Sequence, residues 1–150
     1  MHSITVRHNF ETAHRLPHLP GKCESLHGHS WWAAVTLCAS ELPEDKVVVD
    51  FGTVKRLLRG WIDHHLDHGV LLGDGDPLVP VLADHGKVFV MAGWPTVEAV
   101  AELLGEVAGK LLSGILDTDE VHVAEVTVTE THLNQAMWRP PATPVPEAGP

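Results

Sequence analysis

His27-Gly28-His29-Ser30-Trp31-Trp32-Ala33-Ala34-Val35-Thr36-Leu37-Cys38-Ala39 is the stretch on which the fold turns. In a β-strand, side chains two apart share a face. His27, His29, Trp31, Ala33, Val35 and Leu37 therefore line one side, a run that starts with two imidazoles and ends in aliphatic residues. Such a strand is half buried along its length and carries two metal-capable side chains at its mouth.

Upstream, residues 3 to 12 alternate in the same way, with Ile4, Val6, His8 and Phe10 together, and predict a first strand. Residues 13 to 26, rich in Pro and Gly, read as the loop between the two strands. Downstream, 41 to 46 looks like a hairpin connection and 47 to 49 a resumed extended run. Asp50 can cap a helix beginning near Gly52, with Val54, Leu57, Leu58, Trp61 and Ile62 on its apolar side. The segment from 69 to 93 is less regular. Asp76-Pro77 suits the cap and first position of a short helix through Leu82, and 87 to 91 suits a short extra strand. Thr96 caps a second long helix whose Val97, Val100, Leu104, Val107 and Leu111 recur at helical spacing. Residues 121 to 132 form another strand, with Ala124, Val126, Val128 and Glu130 on one face, and 135 to 139 pair beside it. The order strand, strand, helix, helix, strand, strand is an α+β pattern in one domain, residues 1–139. The tail, 140–150, holds five of the eleven prolines and predicts no fixed structure.

The chain has 150 residues, a formal net charge of −10 and twelve histidines. That charge argues against nucleic acid, whose phosphates demand clustered Lys and Arg. No apolar run approaches the ~20 residues of a membrane span, and the first ten residues lack a signal-peptide stretch, so the cytoplasm is the expected compartment. Cys23 and Cys38, the two cysteines, lie in different settings and do not make a disulfide framework.

The histidine excess directs attention to metal ligation. A His-x-His pair is by itself common polar decoration, but His14 lies upstream at the end of the first strand. Three imidazoles with an open position are the pattern of catalytic rather than structural zinc. Cys23 stands four residues before His27 in a polar loop, where a nearby cation would favour the thiolate and make a base or nucleophile. It could equally complete a structural site as a fourth ligand. Asp63-His64-His65-Leu66-Asp67-His68 contains two possible Asp–His pairs, which can orient and charge an imidazole; a histidine-rich helix C-terminus is also a common solvated end. Glu130, on a face expected to be buried, needs a donor from the protein or a ligand. A guanidine-like ligand edge would suit it.

Six stretches in this order resemble the 6-pyruvoyltetrahydropterin synthase / 6-carboxytetrahydropterin synthase family. They are Phe10-Glu11-Thr12-Ala13-His14-Arg15-Leu16-Pro17-His18, Cys23 through His29, Val49-Asp50-Phe51, Leu66-Asp67-His68, Pro95-Thr96-Val97-Glu98 and Thr129-Glu130-Thr131. The resemblance implies zinc ligands His14, His27 and His29, catalytic Cys23, Asp67 and His68, and pterin contacts Glu130 and Thr96. Asp67–His68 is preferred over Asp63–His64 because of the preceding Leu and the distance from Asp50-Phe51. It implies the tunnelling fold: a four-stranded antiparallel sheet with two helices on one face, assembled as a hexamer from two trimers whose sites form between subunits. The three residues between Cys23 and His27 are similar to the carboxy-forming branch, the pyruvoyl-forming one usually having a longer spacer.

The implied reaction is zinc-dependent conversion of 7,8-dihydroneopterin triphosphate to 6-carboxy-5,6,7,8-tetrahydropterin, releasing acetaldehyde and triphosphate, as in queuosine-type biosynthesis. The alternative product on the same scaffold is 6-pyruvoyltetrahydropterin. The triphosphate sits awkwardly with the net charge; Arg7, Arg15 and Lys22 are the cations nearest in sequence. The segment 69 to 93 is longer than in compact bacterial enzymes of the family and could reshape the pocket entrance. From the residues alone, a zinc hydrolase and a non-catalytic metal- or pterin-binding protein stay open.

Overall fold

The computed structural model describes residues 1–115 and 121–141; residues 142–150, most of the expected Pro-rich tail, lie outside them. Two long strands, β1 (His2–His14) and β2 (His27–Ala39), pair antiparallel over their whole length, His2 opposite Ala39 and His14 opposite His27. β5 (Val121–Thr129) pairs antiparallel with β2, and β6 (Gln135–Trp138) with β5. These four strands are the antiparallel set expected, but the sheet is larger. Two further strands, β3 (Gly69–Gly73) and β4 (Val88–Met91), join at the C-terminal end of β1 and run parallel to it. The result is a six-stranded mixed sheet in the order β4-β3-β1-β2-β5-β6, which corrects the four-stranded antiparallel expectation.

β3 escapes a search for alternation for a physical reason. Leu71 and Leu72, on opposite faces, are both fully buried, so Val70-Leu71-Leu72 is a short continuous apolar run between glycines. Parallel strands covered on both sides read that way. Two smaller expectations also shift. Residues 47 to 49 pair with no strand, and the chain passes from β2 to a helix rather than through a hairpin. In β5, Val123 and not Ala124 packs in the core, because Leu37 faces Val123 while Thr36 faces Glu125. Ala124 is the extra residue of a bulge, and a bulge reverses the alternation.

The helices cover one face. α1 (Phe51–His65) is capped by Asp50, whose Oδ2 accepts the Thr53 N–H at 2.6 Å, and it buries Val54, Leu58 and Ile62. The six-residue α2 (Leu78–Ala83) lies between β3 and β4. α3 (Val97–Leu112) is capped by Thr96 and buries Val100, Ala101, Leu104, Ala108 and Leu112. Against them pack Val6, Phe10, Trp31, Ala33, Val35, Leu37, Val126 and Val128 from the sheet. α3 sits close at Gly105, where a Cβ would strike the ring of Trp138. The opposite face stays polar and open, lined by Thr5, Arg7, Trp32, Thr36, Glu125, Thr127 and Gln135.

Candidate metal centre and Asp–His pair

The β1–β2 register builds the centre. His14 lies directly opposite His27, and His29 opposite Thr12, so all three imidazoles emerge on the helix-covered face at the same end of the hairpin. One nitrogen from each lies within 4.8 Å of the others, close to the ~4.2 Å maximum that ligands at about 2.1 Å from one ion would span. Gly28 is less essential than its position suggests. A Cβ there would meet Ala13 and the Thr12 carbonyl only at ordinary contact distances.

Fixed partners aim two of the rings. His14 Nδ1 bonds the Pro95 carbonyl at 2.8 Å, and His27 Nδ1 bonds the Ser25 carbonyl at 2.7 Å. As donors there, both rings turn Nε2 inward as an unprotonated ligand, the usual outer support of a metal-binding histidine. The buried Trp31 stands edge-on to His14 and His29 at 4.9 and 5.7 Å between ring centres, and its indole N–H bonds the Thr12 carbonyl.

Burial pushes His14 from its ordinary 6.5 down to about 4; neighbouring His27 and His29 act in the same direction and the Pro95 bond opposes them. His29 is also lowered, again chiefly by burial, with Glu130 opposing. Neutral imidazoles are the form that ligates. The Nε2 atoms of His14 and His29 are buried without a hydrogen-bond partner. The Glu130 carboxylate comes within 3.2 Å of His14 Nε2 without forming a hydrogen bond and stands 3.7 Å from His29 Nε2, beyond hydrogen-bond distance. Orphaned buried nitrogens cost stability unless something occupies the space they face. A metal ion fits that donor set.

Glu130 lies just beyond the end of β5, its N–H on the Asn134 carbonyl, and not on the strand itself. Thr96 uses its hydroxyl to cap α3 and borders the centre through Pro95. Cys23 is exposed on a short 3₁₀ turn, Lys22–Glu24, and its carbonyl accepts the Leu16 N–H at 2.7 Å. That bond folds the loop back beside β1, but the thiol does not join the converged histidine donors.

Asp67 and His68 form a pair, Oδ2 to Nδ1 at 2.8 Å, on the turn that follows α1. The His68 side chain is 79% exposed, so its Nε2 edge faces outward. Asp67 is held below the usual carboxylate range by bonds from the Glu11 N–H and His68 and by the charge of Lys87, against the cost of its desolvation. The rival Asp63–His64 pair does not form. Asp63 bonds His8 at 2.8 Å and Arg59 at 3.2 Å instead. Of the three cations considered for a triphosphate, Arg7 lines the open sheet face and Arg15 is engaged by the buried Asp76 at 2.7 Å. Lys22 stands beside Cys23 on the 3₁₀ turn. Pro95, Ser25 and Glu11 lie in the family-like stretches, but their contacts run through backbone groups, which residue type does not disclose. The short helix starts one residue later than expected, with Pro77 and not Asp76 as its N-cap; Asp76 precedes the cap and accepts the Leu78 N–H at 2.9 Å.

A mixed sheet whose first hairpin carries three histidines able to hold a metal defines the class as an α+β protein with a candidate metal centre, and comparison with known proteins makes the class specific. Residues 3–141 match the family model described as 6-pyruvoyl tetrahydropterin synthase. The chain belongs to that family. A Rickettsia bellii protein named 6-carboxy-5,6,7,8-tetrahydropterin synthase is 33% identical over 135 residues, covering 87% of this chain and 95% of its own. One of the same name from Aquifex aeolicus is 35% identical, covering 79% and 76%. A Halobacterium salinarum protein with that name, marked probable, is 38% identical over 79% and 73%. In fold, the chain resembles an uncharacterized protein of Wolinella succinogenes with a TM-score of 0.78 at 22% identity, covering 92% and 97%. It also resembles the 6-pyruvoyl tetrahydropterin synthase of Plasmodium falciparum with a TM-score of 0.72 at 17% identity, covering 91% and 96%. No helix among the described residues is long and apolar enough to cross a membrane.

Proposed function

We propose that this chain is a zinc-dependent lyase converting 7,8-dihydroneopterin triphosphate and water to 6-carboxy-5,6,7,8-tetrahydropterin, acetaldehyde and triphosphate. The observation that carries the reading is the set of three converged imidazoles, two of them (His14 and His29) with buried, partnerless Nε2 atoms and two (His14 and His27) fixed through Nδ1. The carboxy-forming branch is favoured by the names of the relatives above 30% identity and by the three-residue spacer between Cys23 and His27.

His14, His27 and His29 would hold zinc, which when bound polarises the oxygens of the substrate's side chain. Glu130 opens on the same space as the ligating nitrogens and is the acceptor for the amino and ring N–H edge of the pterin. Thr96, at the start of α3, is the second pterin contact. Cys23, as a thiolate, takes a proton from a side-chain carbon. Asp67 holds His68 in one tautomer through Nδ1 and leaves Nε2 to return or remove the next proton. The pterin ring is reduced as the side-chain carbon nearest it is oxidised, so no outside electron donor is needed.

Incubating purified zinc-loaded protein with dihydroneopterin triphosphate, with mass spectrometry and an aldehyde trap, tests the proposal. The expected products are the carboxypterin and acetaldehyde in equal amounts. Loss of triphosphate without acetaldehyde would assign the pyruvoyl product, and binding without turnover a non-catalytic protein.

A further inference from the structure

We infer that Lys87, from the segment between β3 and β4, is a positioning residue for the Asp67–His68 pair; this rests on the catalytic reading of that pair given above. His68 has φ +54°, a left-handed conformation unusual for a residue with a side chain. Such conformations persist where the surroundings over-determine them. Here four hydrogen bonds do so, from two elements distant in sequence. Lys87 Nζ donates to the Asp63 carbonyl at 2.7 Å and to the Asp67 carbonyl at 2.6 Å, clamping the end of α1 to the turn beyond it. Glu11 in β1 gives its N–H to Asp67 Oδ1 at 2.8 Å and accepts the His68 N–H at 2.7 Å.

The Lys87 contact is specific in shape and charge. Its stem lies against Gly69, where an added Cβ would come within 3.0 Å of the lysine Cδ. The ammonium sits at the negative end of α1, where a cation is favoured, and adds to the charge that keeps Asp67 ionised. Glu11 fixes the pair from the sheet side, and its backbone would serve with any side chain. Lys87 fixes the turn from the other side with a side chain that can be altered. The parallel strands β3 and β4 thus do more than extend the sheet. The segment that joins them carries, just before β4, the cation that holds the turn on which His68 sits.

The test uses K87M, which keeps the stem against Gly69 and removes the charge and donors, and K87R, which restores both. In the zinc-loaded full chain, K87M is expected to lose about 10-fold or more in kcat with KM for dihydroneopterin triphosphate within 2-fold and zinc content unchanged. K87R should recover most of the loss. Independently of turnover, amide exchange at His68 should quicken at least 10-fold in K87M while the amides of Leu58 and Ile62 keep their protection. K87Q, with one donor and no charge, replaces K87M if that variant does not fold and should show the same exchange response. Unchanged His68 exchange in the folded variant overturns the inference, as does unchanged kcat in an enzyme that turns over as wild type. A wild-type protein inactive on the substrate defeats the functional reading alone, because the exchange comparison still decides whether Lys87 holds the turn.

Discussion

His14 has no exposed side-chain surface, and it is the residue whose protonation the fold opposes most clearly. Its folded value of about 4 lies below the ordinary 6.5, so the native state binds fewer protons than the unfolded chain between those values. The stability due to neutral His14 is complete above pH 6.5 and is lost as the pH falls through 4. For the metal-free protein the loss amounts to about 3.5 kcal/mol at most, at ~1.4 kcal/mol per pH unit. His29 is shifted in the same direction and steepens the decline. Urea unfolding of chelator-treated protein at pH 7.5 and pH 5 should show the difference, and the His14→Gln variant should flatten the slope. Equal stabilities at the two pH values would contradict the burial argument. Cys23 and Glu130 separate at the same scale. Cys23→Ala should cut kcat by roughly 10²–10⁴, the usual worth of a proton-transfer group, while zinc and pterin binding survive. Glu130→Ala should weaken pterin binding by about 10- to 100-fold, the loss of a charged hydrogen bond. If Cys23→Ala strips the zinc, the thiol is a ligand and the proposed division of roles fails.

At the scale of elements, the segment from β3 to the start of α3 holds the site from outside. It supplies the Pro95 carbonyl to His14 and Lys87 to the Asp67 turn, while Trp94 stacks on His18 at 5.0 Å. Its Asp76 side chain is wholly buried and binds Arg15, the residue after the first histidine of the centre. Removing one member of a buried ion pair leaves the other without its partner. Because Arg15 is 19% exposed, water recovers part of the cost. Asp76→Ala should therefore destabilise by about 2–3 kcal/mol, less than the ~3–5 of a fully buried pair. Thermal unfolding monitored by circular dichroism checks this, and an unchanged Tm would remove the segment's structural role. The same segment marks the boundary of what the sequence discloses. β1, β2, α1 and α3 are legible because each has one buried face and so a clear period, with caps at Asp50 and Thr96 where the residue types place them. β3, buried on both faces, has no period, and the bulge at Ala124 is invisible without its partner strand. Of the site, the histidines are readable because a strand's repeat of two converges His27 and His29 wherever the strand begins. The bonds from Ser25, Glu11 and Pro95 come from backbone groups, which every residue type has, so composition leaves no trace of them.

At the scale of the whole molecule, the sheet has open edges. Only Thr12, Ala13 and His14 of β1 pair with β3, so residues 2 to 11 have no strand on that side, and the outer edge of β6 is also unpaired among the described residues. Unpaired edges recruit other strands, and closure between copies removes them. The uncovered face carries Trp32 and Met137, each about half exposed, beside threonines and Arg7, a mixed lining better suited to an interior shared by several subunits than to a hydrophobic core. The proposed site is open in the same way. The outward edge of His68 and the exposed Cys23 turn each face away from the subunit's own core. The open edges suit pairing between copies of the chain; the hexamer of two closed trimers that the family resemblance implies, with the Asp67–His68 pair of one subunit beside Cys23 of another, is the assembly we propose. Native mass spectrometry should give six copies. The sharper test mixes two inactive proteins, Cys23→Ala and His68→Ala, after mild dissociation and reassembly. If the site is shared, some interfaces in the mixed assembly unite an intact Cys23 with an intact Asp67–His68 pair, and up to about a quarter of wild-type activity should return by random pairing, since each partner is intact in half the chains. Each mutant reassembled alone should stay inactive. No recovery from mixtures shown by mass to be mixed would place thiol and imidazole within one chain, and a fully active monomer would end the case for a shared site.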